Sequence, residues 1–477
     1  MIGLALVLLT PLAGAAVLAG IADYRASARV NIAASAIAFA GALLLLAHRP
    51  APGRFLLVDD LNVVFIVLGT FVATTTSVFS AGYIGHELDT GHLTPGYLRF
   101  YHAMFQLMMF GMNLALLAND IGVMWVAVEL ATLSTVVMVG IYRTPAALEA
   151  AWKYFILGSV GIALALFGTI LVYLAARPEV GEGLRAMEWT VLLRYARGFD
   201  PRLLDVAFIF LLLGYGTKVG LAPMHAWLPD AHAEGPTPIS AVLSGLLLNV
   251  ALYALLRFKL LLAACPGAIA PGPLMVTLGL ISVIFAAFML YRRRDIKRLF
   301  AYSSIEHMGI IVFSFGMGGA LGNFAGLLQM TMHSLTKSAI FFSVGHVAQV
   351  KGTQRMEAIG GLTETHPLLG WALLGGIAAI AGLPPFGVFT AEFLVLSSTF
   401  ARQPALAVAL GLGLLVAFGA LLARGTELAF GPPRGATGPV RASYWPIAAH
   451  LALVLVAGIW LPGPLVAWFR HVAAMLG

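Results

Sequence analysis

A chain of 477 residues that is 60% hydrophobic and only 10% charged is too apolar for a water-soluble fold, and its mean hydropathy of +0.93 marks an integral membrane protein. The formal net charge of +7 fits loops that meet anionic lipid headgroups and argues against nucleic acid as a partner. The single cysteine, Cys265, excludes a disulfide framework and cannot by itself hold a conventional iron–sulfur cluster, so no cofactor is expected on this chain.

A helix needs about 20 apolar residues to cross a bilayer. Apolar runs between charged or Pro/Gly-rich breaks predict an all-α polytopic fold of about fourteen transmembrane helices. The first run, 2–20, opens without a basic leader or an evident cleavage site and reads as a retained span. With 29–47 and 59–80 it forms an N-terminal three-helix segment, residues 1–98. The runs 99–118 and 121–140 make a hairpin around the "AND" turn at Asp120. The runs 149–175, 205–224 and 239–262 follow, closing a five-helix unit over 99–262. A second five, 272–290, 298–316, 322–348, 367–400 and 404–423, occupies 272–425. A final run, 443–470, begins a C-terminal segment over 443–477. Lysine and arginine are more frequent in the odd-numbered loops, largely through "RRRDIKR" (Arg292 to Arg298). The positive-inside rule therefore puts those loops in the cytoplasm and both termini outside.

Two spans are broken. The seventh is interrupted at Pro223 within "GTKVGLAPMHAWLPDAHAEGPTP", and the twelfth at Pro384 and Pro385 within "GLPPFG". Each break falls in the fourth helix of its group of five. Because five is odd, the second group must enter the membrane from the opposite side, which predicts two inverted five-helix repeats with function at the interrupted helices.

Charge inside the spans is sparse and selective. Of six lysines, Lys153, Lys218 and Lys337 lie within spans, whereas the 22 arginines lie in loops or near span ends. Arginine stays protonated, while a buried lysine can release a proton near neutral pH. Glu129, Glu306 and Glu392 join them, and His333 stands four residues before Lys337 on one helix face. Matching helices of the two groups thus supply titratable groups at membrane depth, a pattern suited to a polar line across the bilayer plane. The competing reading of Glu129, Lys218 and Glu392 is an ion pair that only packs helices, set against the cost of several kcal/mol for uncompensated membrane charge. Lys153 lies near a span end, from which a lysine can snorkel to the headgroups. His225, His232 and His307 read as local hydrogen-bonding residues, Met108 and Met109 as packing, and Asp230 and Glu234 as solvated or capping groups. A break at Pro223 frees backbone carbonyls and so admits water beside Lys218.

The stretches "WKYFILGSVG", "KVGLAPMHAWLPDAHAEGPTPISAVLSG", "DIKRLFAYSSIEHMG", "HSLTKSAIFFSVGHV" and "GLPPFGVFTAEF" resemble the antiporter-like subunits of respiratory complex I and membrane-bound hydrogenases. The resemblance spans about residues 60–400. Through "SIEHMG" and "GTKVGLAPMHAWLPDAHAEGP" the chain is most similar to the component F type of hydrogenase-four and formate hydrogenlyase complexes. The resemblance implies that Glu129 pairs with Lys218, that His333 and Lys337 are the polar pair of the eleventh span, and that Glu392 is the terminal residue of the relay. Asn249 departs from the pattern, standing where several relatives carry lysine or histidine, so the centre of the relay would run through water or the eleventh span. No long amphipathic helix follows the last span, which disfavours the longest, distal family member.

The expected function is proton translocation in the inner (plasma) membrane of a prokaryote, within a larger oxidoreductase. The expected partners are other membrane subunits and a hydrophilic redox arm, with protons or sodium ions as cargo. A subunit of a multi-subunit sodium/proton antiporter, a subunit energising inorganic-carbon uptake, and a passive scaffold are the alternatives. A redox enzyme in its own right is disfavoured by the lack of a dinucleotide fingerprint, a haem motif or cluster ligands.

Overall fold

The computed structural model describes residues 1–477, with the side chains of all but Pro95 and Leu98. The chain is an all-α polytopic membrane protein. Its first eleven helices are α1 (Ile2–Gly20), α2 (Tyr24–Ala47), α3 (Asp60–Asp89), α4 (Pro95–Leu117), α5 (Ile121–Val139), α6 (Pro145–Val180), α7 (Trp189–Tyr195), α8 (Pro201–Val219), α9 (Trp227–Glu234), α10 (Thr237–Val242) and α11 (Leu248–Ala263). The remainder are α12 (Pro271–Tyr291), α13 (Ile296–Met317), α14 (Gly319–Lys351), α15 (Leu362–Thr365), α16 (Pro367–Ile380), α17 (Gly387–Arg402), α18 (Pro404–Phe430), α19 (Trp445–Ile459) and α20 (Gly463–Met475).

Among the described residues, ten helices are long and apolar enough to cross a membrane, or eleven if the bent pair α19 and α20 is one crossing. That is fewer than the fourteen expected, for chemical reasons. The 19 residues of α8 carry Arg202, Asp205 and Lys218. The 33 residues of α14 are diluted by His333, Lys337 and a series of serines and threonines. The twelfth predicted span divides into α16 and α17, of 14 and 16 residues, each short of a full crossing. The last predicted span, 443–470, is not one rod: α19 and α20 are bent by 81° at the break.

Helix ends follow the local chemistry. Asp120 is the N-cap of α5, accepting from the Gly122 and Val123 amides, and Asp59 caps α3 in a reciprocal capping box with Asn62. Without a hydrophobic drive between helices in lipid, close packing falls to small residues. Gly161 and Gly214 bring α6 and α8 into backbone contact: a Cβ on Gly214 would lie 2.6 Å from the Gly161 carbonyl oxygen. Gly279 and Gly309 do the same for α12 and α13, each carbonyl oxygen 2.7 Å from where the other's Cβ would be.

Helix neighbours recur in parallel. α4 packs on α5, α5 on α6, α6 on α8, and α8 on α11. In the same order α12 packs on α13, α13 on α14, α14 on α16 and α17, and these on α18. α14 lies at the centre, touching α3, α10, α13, α17, α19 and α20. A π-helical turn at Leu243–Leu247 joins α10 to α11 and faces α14, where a Cβ on Gly245 would meet the Ser338 hydroxyl at 2.7 Å.

Candidate functional site

The first break begins where Gly220 ends α8 in the left-handed conformation, φ +83°. The chain then crosses Leu221–Ala226, including Pro223, before α9 resumes. Interrupting a helix at this depth orphans backbone groups, and side chains take them up. Trp227 Nε1 donates to the Thr217 carbonyl at 2.8 Å, and the Ala222 amide donates to Ser282 Oγ of α12 at 2.9 Å. Trp227 is fixed in turn by stacking on Tyr154, ring centroids 4.3 Å apart.

Lys218 sits in the last turn of α8, directly before this break. Its Nζ lies 3.1 Å from Glu129 Oε2 of α5 and donates to Thr132 Oγ1 at 3.0 Å. The lysine side chain is 2% exposed and the glutamate 17%. Room for the ammonium comes from Gly158 on α6, where a Cβ would stand 3.0 Å from Nζ. Three helices therefore converge on one charge pair, with a hydroxyl as the only other side-chain partner of the ammonium among the described residues.

The second break, Ala381–Phe386, carries Pro384 and Pro385 and has Gly382 in the left-handed conformation at φ +73°. Glu392 of α17 folds back over it, its carboxylate occupying the space that a side chain on Gly382 would need. Glu392 Oε1 lies 3.8 Å from His307 Nδ1 of α13, and the same nitrogen is 2.9 Å from Gln329 Nε2 of α14. The His307 ring stacks on His333 of α14 at 5.6 Å. One helical turn further along α14, Lys337 Nζ donates to the Phe300 carbonyl of α13 at 2.9 Å. Glu306 Oε2 and both ring nitrogens of His333 are buried without a hydrogen-bond partner among the described residues. A cavity of about 340 Å³ lined by Glu306, Glu392, Gly382, Phe393 and Leu415 opens beside this cluster. His307, read from sequence as a local hydrogen-bonding residue, thus stands inside the cluster, as its contacts with Glu392, Gln329 and His333 show.

Asn249 joins α11 to α14. Its Nδ2 donates to Ser334 Oγ of α14 at 2.7 Å and to the Gly245 carbonyl of the π-helical turn at 3.0 Å. Lys153 stands apart from these buried groups. Its side chain is 47% exposed and pairs with Glu149 at 2.6 Å and Asp230 at 3.0 Å. Asp230 also pairs with Arg298 at 3.1 Å, so it and Glu234 belong to a surface ion network and are not merely solvated. Sequence reasoning missed Lys297: read as loop charge, it is buried, its Nζ donating to the Ala233 and Gly235 carbonyls at 3.2 and 2.7 Å. It also missed the buried Arg257, paired with Asp59 at 2.7 Å.

Residues 118–417 match the family described as "NADH:quinone oxidoreductase/Mrp antiporter, TM". The chain belongs to that family. Over 472 residues, 99% of either chain, it is 60% identical to the "Hydrogenase-4 component F homolog" of Methylacidiphilum infernorum (isolate V4). Its fold matches a chain of the membrane-bound sulfane sulfur reductase, an archaeal respiratory membrane complex, with a TM-score of 0.88 at 22% identity over 99% and 97% of the two chains. A chain of the Mrp complex from Dietzia sp. DQ12-45-1b superposes with a TM-score of 0.84 at 20% identity, again over 99% and 97%. The expected placement among antiporter-like subunits, of the hydrogenase-four component F type, is borne out. The chain is an antiporter-like membrane subunit of a multi-subunit complex, and its buried Glu, Lys and His side chains form a network suited to proton relay.

Proposed function

We propose that this chain is a proton-translocating membrane subunit of an oxidoreductase complex that includes a hydrophilic redox arm, and that Glu129, Lys218, His333, Lys337, Glu306 and Glu392 carry the protons. The ion pair of Lys218 with Glu129 at the broken end of α8, 3.1 Å long, carries the reading. While the carboxylate is adjacent, Lys218 holds its proton. When the pair opens, the ammonium is left in an apolar setting and gives the proton up. An ionisable pair at such depth is a functional site by default. Lys153, on the exposed network with Asp230, serves at the rim of this path. His333 and Lys337 continue it along α14, and Glu392 with Glu306 terminates it beside the cavity. The hydrogen bond from Asn249 to Ser334 supports a central crossing through α14, not through a titratable group on α11.

The proposed topology has fourteen crossings: a three-helix segment over 1–98, inverted five-helix repeats over 99–262 and 272–425, and a C-terminal segment over 443–477. The parallel helix neighbours and the equivalent positions of the two breaks support it. By loop charge both termini lie outside, in a prokaryotic inner membrane.

The test is to delete this chain from the intact complex in vesicles. Redox-driven proton translocation should fall, and the purified chain should oxidise neither hydrogen, formate nor NADH. If the complex instead exchanges sodium for protons without a redox partner, the antiporter reading replaces this one.

A further inference from the structure

Outside the paired and clustered groups above, one line of buried polar residues has no part in the proposed relay. It starts at the C-terminal end of α3. Glu87 is 8% exposed and lies 3.2 Å from His92, which is 64% exposed. The other oxygen of Glu87 accepts from Gln349 Nε2 of α14 at 2.8 Å. Tyr83 stands one helical turn inward, and its hydroxyl is 3.2 Å from Thr237 Oγ1 at the start of α10. Tyr142 lies beside both Tyr83 and Glu87.

From Thr237 the line meets α14. Gly345 makes room for Thr237, since a Cβ there would stand 3.2 Å from the threonine. Gly345, Phe341 and Lys337 follow at four-residue intervals on one face of α14, about 12 Å from end to end. Midway, the His232 ring stacks flat on Phe341 at 4.8 Å, buried, and neither ring nitrogen has a hydrogen-bond partner among the described residues. The buried ammonium of Lys297 is held on the carbonyls of Ala233 and Gly235, between His232 and Thr237.

We propose that Glu87 is the mouth of a proton entry line distinct from the Glu129–Lys218 pair, running through Tyr83 and Thr237 to His232 and on to Lys337. This rests on the proton-translocating reading of the chain. Glu87 takes a proton that His92 gathers from solvent. Each hydroxyl then accepts a proton on oxygen and donates its own onward, so no net charge rests on Tyr83 or Thr237. His232 accepts on one free ring nitrogen and donates from the other, and the amine of Lys337 receives the proton. A structural role for Glu87 needs only an acceptor for Gln349, which a glutamine would also supply; the entry role needs a titratable carboxyl.

The experiment measures protons moved per electron pair in vesicles holding the intact complex, for Glu87→Gln, Tyr83→Phe and, in parallel, Glu129→Gln. The expected result is a loss of at least about tenfold for Glu87→Gln and for Tyr83→Phe at wild-type assembly, since a positioned acid or base contributes roughly a hundredfold or more. Wild-type pumping by Glu87→Gln while Glu129→Gln fails overturns the entry line and leaves the relay standing. Wild-type pumping by both overturns the relay reading itself, and the line with it. If Glu87→Gln does not assemble, Tyr83→Phe decides alone: normal pumping by that variant overturns the proposal.

Discussion

Two buried ion pairs in this chain are matched in burial and differ in almost everything else. Lys218 and Arg257 are both 2% exposed, and their partners Glu129 and Asp59 are 17% and 19% exposed. Around Lys218 the structure supplies one carboxylate, one threonine hydroxyl and a helix break. Around Arg257 it supplies an ion pair at 2.7 Å, a hydrogen bond from Nε to the Tyr253 hydroxyl at 2.8 Å, and the ring faces of Trp189 and Tyr253 at 4.3 and 4.9 Å. The guanidinium is permanently charged and held on several sides, which suits it to clamp α11 against the N-terminus of α3. The ammonium has few partners and beside it a segment whose backbone is already open. On the proposed relay, the same burial serves two ends: a fixed charge where geometry must hold, and a removable proton where it must change.

Substitutions that cross these roles should have unequal effects. The largest is expected at Glu129. Glu129→Gln keeps size and hydrogen bonding and removes the charge, so the complex should assemble while proton translocation falls to about a tenth or less. Wild-type proton yield from an assembled Glu129→Gln complex would reduce the pair to packing.

A smaller loss, about fivefold, is expected of Glu392→Gln, because Glu306 shares its cavity and can carry part of the traffic. Combining Glu392→Gln with Glu306→Gln should bring the loss to that of Glu129→Gln. Normal proton-coupled turnover in the double variant would remove this end of the path.

At the other pair the readout moves from transport to stability. Arg257→Met should lower thermal stability by about 3 kcal/mol, through the carboxylate it orphans, while pumping per assembled complex stays normal. The smallest effect is the pH dependence of that difference. Burial alone would push the Asp59 carboxyl up, but the Arg257 guanidinium outweighs it and holds the group below the ordinary carboxylate range. A depressed folded value means the pair stabilises the fold above the unfolded value of about 3.9 and loses that contribution as pH falls through the folded value. Thermal unfolding of wild type and Arg257→Met should therefore converge in acid; a constant gap would contradict the assignment.

Much of this arrangement is legible in the sequence, because a bilayer imposes length and polarity so strictly. The run 2–20 is α1, 121–140 is α5 within one residue, and the interruptions at Pro223 and at Pro384–Pro385 are both true breaks. The pairing of Glu129 with Lys218 is also visible, through the resemblance. What escapes is whatever depends on how distant helices meet. Lys297 in "RRRDIKR" has the signature of an exposed loop charge, yet the start of α13 turns it inward onto the carbonyls after α9. Lys153 lies within a predicted span near its end, where both a buried and a snorkelling role are open, and only the packing shows its face of α6 exposed and meeting Asp230. Arg257 reads as a span-end anchor until α3 and α7 close around it. The 81° bend between α19 and α20 falls at Pro462-Gly463-Pro464, a Pro/Gly break that the single run 443–470 passes over.

The claim that Lys218 carries a proton, and not only a charge, is tested most directly by Lys218→Arg. Proton translocation per electron pair would be measured in vesicles, with assembly quantified on the same membranes and Lys218→Ala alongside. The account predicts that the arginine variant assembles and pumps poorly, because arginine keeps the pairing charge and does not release it in the working range. Lys218→Ala should also be defective. Pumping at the wild-type level by Lys218→Arg, with only the alanine variant impaired through the orphaned Glu129 carboxylate, would contradict it.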